Sequence, residues 1–194
     1  RNFFSFYWRL IMGLLSTPSA NNNFQISNFK LISTDNVFVN LNKIKGKNGT
    51  LIMFICNHCP YVKAIISEVV KITPQIKKLG FGVVAIMPND TIHYNEDSFE
   101  NMKIFSKQNR FNFPYLLDND QMVAKKYGAV CTPDFFCFNN NDFLQYRGRI
   151  LEMKNLTPVN PKKNELLSAI KMIATTGNGP KVQIPSIGCS IKWR

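Results

Sequence analysis

Along this chain the apolar positions come in two rhythms, and the change from one to the other marks out its elements. From Phe24 to Val39 two short alternating stretches flank the turn cluster Ser33-Thr34-Asp35-Asn36, which predicts a β-hairpin. A Lys- and Gly-rich loop, Lys43 to Gly49, then gives way to Thr50-Leu-Ile-Met-Phe-Ile55. That unbroken run suits a strand buried on both faces. After Cys56-Asn-His-Cys59 the period becomes helical. Val62, Ile65, Ile66, Val69, Val70 and Ile72 form one stripe behind Pro60, with Pro74 expected to kink or end the helix and Gly80 to stop it.

Phe81 to Met87 is a second buried strand, and Ser98 caps a helix running to about Arg110. Phe113 to Leu117 is a short strand, and Gln121 to Tyr127 a short helix ended by Gly128. Asp134–Phe138 and Phe143–Ile150 flank Asn139-Asn-Asn-Asp142 as an antiparallel hairpin, and a last helix covers about Asn164 to Ala174. This order predicts an α/β fold with a mixed central sheet, helices on both faces and an N-terminal β-hairpin extension. The chain divides into an N-terminal extension (1–22), one domain (23–176) and a tail (177–194) carrying Cys189.

With 194 residues and 45% apolar content, one complete core is expected. The net charge of +12 comes from scattered lysines, among them Lys43, Lys45, Lys47, Lys77, Lys78, Lys125, Lys126, Lys162 and Lys163. No aromatic-interleaved basic stripe accompanies them, so neither nucleic acid nor a membrane is expected as a partner. Phe3 to Leu15 is apolar but interrupted by Arg9 and too short to span a bilayer. A cytoplasmic location is expected. An exported or organellar location through a cleaved N-terminal segment, with Pro18-Ser19-Ala20 as cleavage context, is the alternative, and Met12 would make an adequate start.

The five cysteines are an odd number on a chain too large to need disulfide staples, which points to thiol chemistry or incidental burial. Cys137, inside a Phe-rich strand, reads as buried filler. Cys59 is different. Pro60 belongs at the first helical position, which puts Cys59 at the N-cap, where free N–H groups and the helix dipole favour thiolate. His58 and Lys63 supply nearby positive charge. A zinc site from Cys56, His58 and Cys59 would be crowded and lacks a second ligand pair, so no metal and no cofactor is expected. Arg147 and Arg149 alternate on the last hairpin strand, and one of them is a candidate for stabilising a thiolate or a substrate carboxylate; a solvated strand edge is the plainer reading.

Six segments together resemble the thioredoxin superfamily, in its peroxiredoxin-like (AhpC/TSA-type redoxin) branch. They are Phe54-Ile-Cys-Asn-His-Cys-Pro-Tyr-Val-Lys63, Asp97-Ser-Phe-Glu-Asn-Met-Lys103, Phe113-Pro-Tyr-Leu-Leu-Asp118, Tyr127-Gly-Ala-Val-Cys-Thr-Pro-Asp-Phe-Phe136, Tyr146-Arg-Gly-Arg149 and Pro185-Ser-Ile-Gly-Cys-Ser-Ile-Lys-Trp193. The resemblance implies a thioredoxin-like fold in which Thr132-Pro133 forms a cis-proline loop against the reactive cysteine. Two departures stand out. The Cys-x-x-Cys register is shifted, with Cys56 back at the strand end and Val62 where a thioredoxin has its second cysteine. The Pro and Thr that lead up to a peroxidatic cysteine are also missing.

The expectation is a thiol oxidoreductase in which Cys59 attacks a disulfide or a peroxide. A second cysteine then resolves the product: Cys131 slightly favoured, Cys56 next, and Cys189 either in that role or as a flexible tail thiol. A thiol reductant, thioredoxin-like or of low molecular weight, would restore the protein, and a homodimer is possible. The rivals are a non-catalytic scaffold and a redox-regulated interaction protein whose tail is released through Cys189.

Overall fold

The computed structural model describes residues 13–194. Most of the apolar N-terminal stretch considered as a leader, including Met12, lies outside the described residues. Within them, β1 (Leu14–Ser16), β2 (Lys30–Ser33) and β3 (Phe38–Asn40) precede a single helical turn, α1 (Leu41–Ile44). β4 (Gly49–Phe54), α2 (Pro60–Lys78), β5 (Phe81–Met87), α3 (Phe99–Gln108) and β6 (Tyr115–Leu117) follow. Next come α4 (Met122–Tyr127), β7 (Cys131–Thr132), β8 (Asp134–Asn139) and β9 (Leu144–Tyr146). A small ribbon, β10 (Met153–Lys154) with β11 (Thr157–Pro158), leads to α5 (Glu165–Thr176) and finally β12 (Ile187–Ser190).

Seven strands form the central sheet in the order β3-β2-β6-β5-β4-β8-β9. β4, β5 and β6 run parallel, and the hairpins β2–β3 and β8–β9 extend the two edges antiparallel. This is a thioredoxin-like α/β fold with a mixed sheet. Every residue of β4 is buried, as its unbroken apolar run requires. Alternate β4 side chains feed two cores. Leu51, Met53 and Ile55 meet the α2 stripe of Val62, Ile65, Ile66, Val69 and Ile72, while Ile52 and Phe54 pack with Phe136, Phe138 and Tyr127. Each such side chain contributes about 1.5–3 kcal/mol when fully buried.

Of the two outcomes expected at Pro74, an end is ruled out: α2 runs through it to Lys78, with Leu79 as C-cap, and stops before Gly80 as expected. The carbonyl of Val70, which would lose its helical donor to the proline, accepts a hydrogen bond from Asn112 Nδ2 at 3.0 Å instead. The tail, for which Cys189 as a flexible thiol is one expectation, is pinned. β12 sits in a three-stranded sheet, β1-β12-β7, apart from the central one, pairing Cys189 with Thr132 on one side and with Leu14 on the other. Among the described residues, no helix is long and apolar enough to cross a membrane.

Candidate active site

The loop between β4 and α2 carries Cys56 and Cys59, and the geometry around it is local in origin. Cys59 is the N-cap of α2, with extended backbone angles (φ −63°, ψ 122°) and Pro60 following at the head of the helix. Its side chain caps nothing, so the sulfur is left at the positive end of the helix. From across the molecule the Thr132–Pro133 loop meets it, joined by a cis peptide bond. Cys59 Sγ lies 3.2 Å from the Thr132 carbonyl oxygen, and Cys56 Sγ lies 3.2 Å from Thr132 Oγ1.

The closest sulfur to Cys59 comes from β12. Cys59 Sγ and Cys189 Sγ are 2.8 Å apart, with no disulfide between them. The thiol of Cys189, that of Cys56 and the backbone N–H groups of Cys189 and Val62 all direct hydrogen bonds at Cys59, and together they outweigh the cost of burying its charge. Its pKa is therefore held far below the ordinary thiol range. Cys189 moves the opposite way, because its proton is shared toward the Cys59 thiolate, and burial pushes the Cys56 thiol up. One thiolate among protonated thiols is the arrangement expected of a single nucleophile with donors around it.

Of the other residues singled out in the sequence, some meet Cys59 and some do not. The order of candidate resolving thiols is revised. Cys131, though one residue from Thr132, directs its sulfur toward the Pro133 carbonyl at 3.8 Å, and burial pushes its pKa up. His58 turns to Asp97, with Nδ1 at 2.6 Å from Oδ2, and that carboxylate raises its pKa above 6.5. Lys63 is exposed one turn along α2 and is not among the groups that hold the Cys59 thiolate.

The arginines are corrected as well. Arg147 is buried, binds Asp134 through Nε and Nη2 (3.1 and 2.8 Å), and stacks 4.3 Å over Phe136. Arg149 forks onto Glu165 of α5 at 3.0 and 2.8 Å. Gly148 separates them; each is held in an ion pair, and Arg149 also lines the cavity beside Pro133.

Four residues that the sequence reading passed over complete the site. Asp97, fully buried, accepts from Asn57 N–H (2.8 Å), His58 and Asn89 Nδ2 (2.7 Å). Asn57 Oδ1 accepts the Tyr115 hydroxyl at 2.8 Å, which fixes the cysteine loop from beneath. Asn89 Oδ1 in turn accepts the backbone N–H of Lys192 at 3.0 Å, so one side chain links the cysteine loop to the end of β12. Gly188 lets β12 approach Thr132. Asn57, Asp97 and Gly188 all lie in segments that carry the family resemblance, whereas nothing local marks Asn89.

The ligand atoms of Cys56, His58 and Asp97 lie within 4.8 Å of one another. Both Asp97 oxygens already hold protein donors, and we assign no metal to the cluster. A cavity of about 130 Å³ lies beside Pro133, between Tyr61 and Ile65 of α2 and the Ile184–Ile187 approach to β12.

A sequence profile of the AhpC/TSA family matches residues 23–147. The chain belongs to the AhpC/TSA family. Its likeness to solved structures extends further along the chain. An uncharacterized conserved protein from Geobacillus kaustophilus is 38% identical with a TM-score of 0.87, over 94% of this chain and 97% of that one. A hypothetical protein from Sinorhizobium meliloti is 32% identical with a TM-score of 0.86, over 92% and 98%. Peroxidoxin BcpB from Mycobacterium tuberculosis shares the fold at 12% identity, with a TM-score of 0.55 over 80% of this chain and 92% of that one. No curated protein matches. As a member of this family the chain is a redox protein of the thiol class in general terms, and its specific reaction is taken up next.

Proposed function

We propose that this chain is a thiol–disulfide oxidoreductase in which Cys59 is the nucleophile and Cys189 the resolving thiol. The observation that carries the reading is the 2.8 Å separation of a helix-capping, low-pKa sulfur from a protonated thiol on a neighbouring strand. In the cycle, the Cys59 thiolate attacks one sulfur of a substrate disulfide, and the substrate's other sulfur leaves as thiolate. Cys189 loses its proton and attacks Cys59 of the mixed disulfide, releasing the second substrate thiol. The substrate is reduced and a Cys59–Cys189 disulfide remains, which an external thiol reductant reopens. Cys59, as the better thiolate, is the natural leaving group in that last step.

A second reading has support from the family itself. The same pair would condense a Cys59 sulfenic acid with Cys189, releasing water after a peroxide is cleaved. Cleavage, however, needs donors for both oxygens and for the departing hydroxide. Arg147 and Arg149, the cations the sequence offered for that task, are engaged with Asp134 and Glu165. Disulfide exchange is therefore ranked first.

The test compares insulin-disulfide reduction with hydrogen peroxide turnover on reduced protein, each beside a Cys59→Ser control. Exchange that vanishes in the variant, with slow peroxide consumption, is the expected result. Fast, Cys59-dependent peroxide turnover with negligible exchange would reverse the ranking, and activity indifferent to Cys59 would leave a scaffold.

A further inference from the structure

Cys59 is completely buried, and β12 sets Cys189 directly against it. The strand lies antiparallel along the edge of β7, with Cys189 opposite Thr132 and Ser190 opposite Cys131, so that Cys189 Sγ comes down on Cys59 Sγ. A substrate disulfide has to bring a sulfur to the same point, and the chain's own segment is a cast of what fits there. The tightest place on that path is just before the cysteine. A Cβ added to Gly188 would stand 2.0 Å from the Thr132 carbonyl oxygen and 2.5 Å from its carbon. Those are backbone atoms held by the β7 pairing, and they cannot rotate away as a side chain would. An ordinary side chain at this position is excluded unless the loop shifts.

We propose that Cys59 acts on disulfides carried by extended polypeptide segments that enter as β12 moves aside, that it selects those with glycine immediately before the reacting cysteine, and that β12 then returns with Cys189 to resolve the mixed disulfide. This rests on the exchange reading above and adds the substrate's form and a specificity. In the step itself, Cys59 thiolate attacks the peptide's cysteine sulfur, the Cys59–peptide disulfide forms, and the old partner leaves as thiolate. No electrons beyond that pair are needed.

The test uses the full chain with Cys189→Ser, so that the mixed disulfide accumulates instead of being resolved. Two end-blocked peptides, Ile-Gly-Cys-Ser and Ile-Ala-Cys-Ser, each carry thionitrobenzoate on cysteine. Its release and the intact mass of the adduct are followed. The glycine peptide should react about tenfold faster or more. Equal rates for the two, both lost with Cys59→Ser, overturn the specificity and leave the exchange reading standing. No Cys59 adduct with either peptide or with free dithiobis-nitrobenzoate overturns both. In the otherwise unaltered chain, Gly188→Ala should unseat the strand and make reduced Cys189 alkylate about tenfold faster; an unchanged rate would contradict the clash argument.

Discussion

The pKa of Cys59 is lowered by hydrogen-bond donors more than by neighbouring cations. A thiolate buried without partners would be costly, and here the Cys189 thiol, the Cys56 thiol and two backbone N–H groups replace water around it. The charged side chains nearby have other work. Arg147 keeps Asp134 paired in the core, where burial lifts the carboxyl above its ordinary range against the pull of the guanidinium. Arg147→Ala should therefore destabilise the fold by about 3–5 kcal/mol, because it leaves a buried carboxylate alone. The rate of Cys59 alkylation in the still-folded protein should stay the same. A large change in that rate at unchanged stability would return Arg147 to the site. His58 gains its proton affinity from Asp97, so its folded pKa lies above the unfolded value. The stability it contributes is complete below about pH 6.5 and is lost as pH rises through the raised folded pKa. Urea melts across a pH series should show the gap between wild type and His58→Gln narrowing with rising pH. A gap that widens would mean the ring is held neutral.

At the scale of elements, the site is a meeting of a helix start, a proline loop and a terminal strand. The helix start was legible because its causes are local: a cysteine, a proline after it, and a 3.6-residue stripe behind. The strand was not. Whether Cys189 swings free or pairs with Thr132 depends on β1 and β7, which are distant in sequence, and no pattern within residues 177–194 encodes that register. Arg147 and Arg149 misled for a related reason. Alternation promised one shared face, but β9 ends at Tyr146 and the two side chains find separate partners. At Pro74 the helix goes on, and the Val70 carbonyl takes its hydrogen bond from Asn112, a side chain of another element. The hold on β12 can be tested through Asn89, which ties Lys192 N–H to Asp97 and thus to the cysteine loop. Asn89→Ala removes a bond worth about 1 kcal/mol. Alkylation of reduced Cys189 should quicken about fivefold if opening of the strand limits it. An unaltered rate would show that β12 is held by its strand pairing alone.

For the molecule as a whole, the central sheet and its two cores form the part that composition and periodicity specify most directly, and the alternating β and α segments ordered it correctly. Chemistry is added at one end, where the C-terminal segment folds back over the first long helix and closes the site from outside the central sheet. That closure makes Cys59 and Cys189 a pair, whereas the sequence offered Cys131 and Cys56 ahead of it. The claim is decided most directly by disulfide mapping. Reduced protein is treated with stoichiometric oxidised glutathione, quenched by alkylation, digested without reductant and analysed by mass spectrometry. The account predicts a cross-linked peptide joining Cys59 to Cys189, with Cys56, Cys131 and Cys137 alkylated. A Cys56–Cys59 or Cys59–Cys131 bridge, with Cys189 recovered as a free thiol, would contradict it.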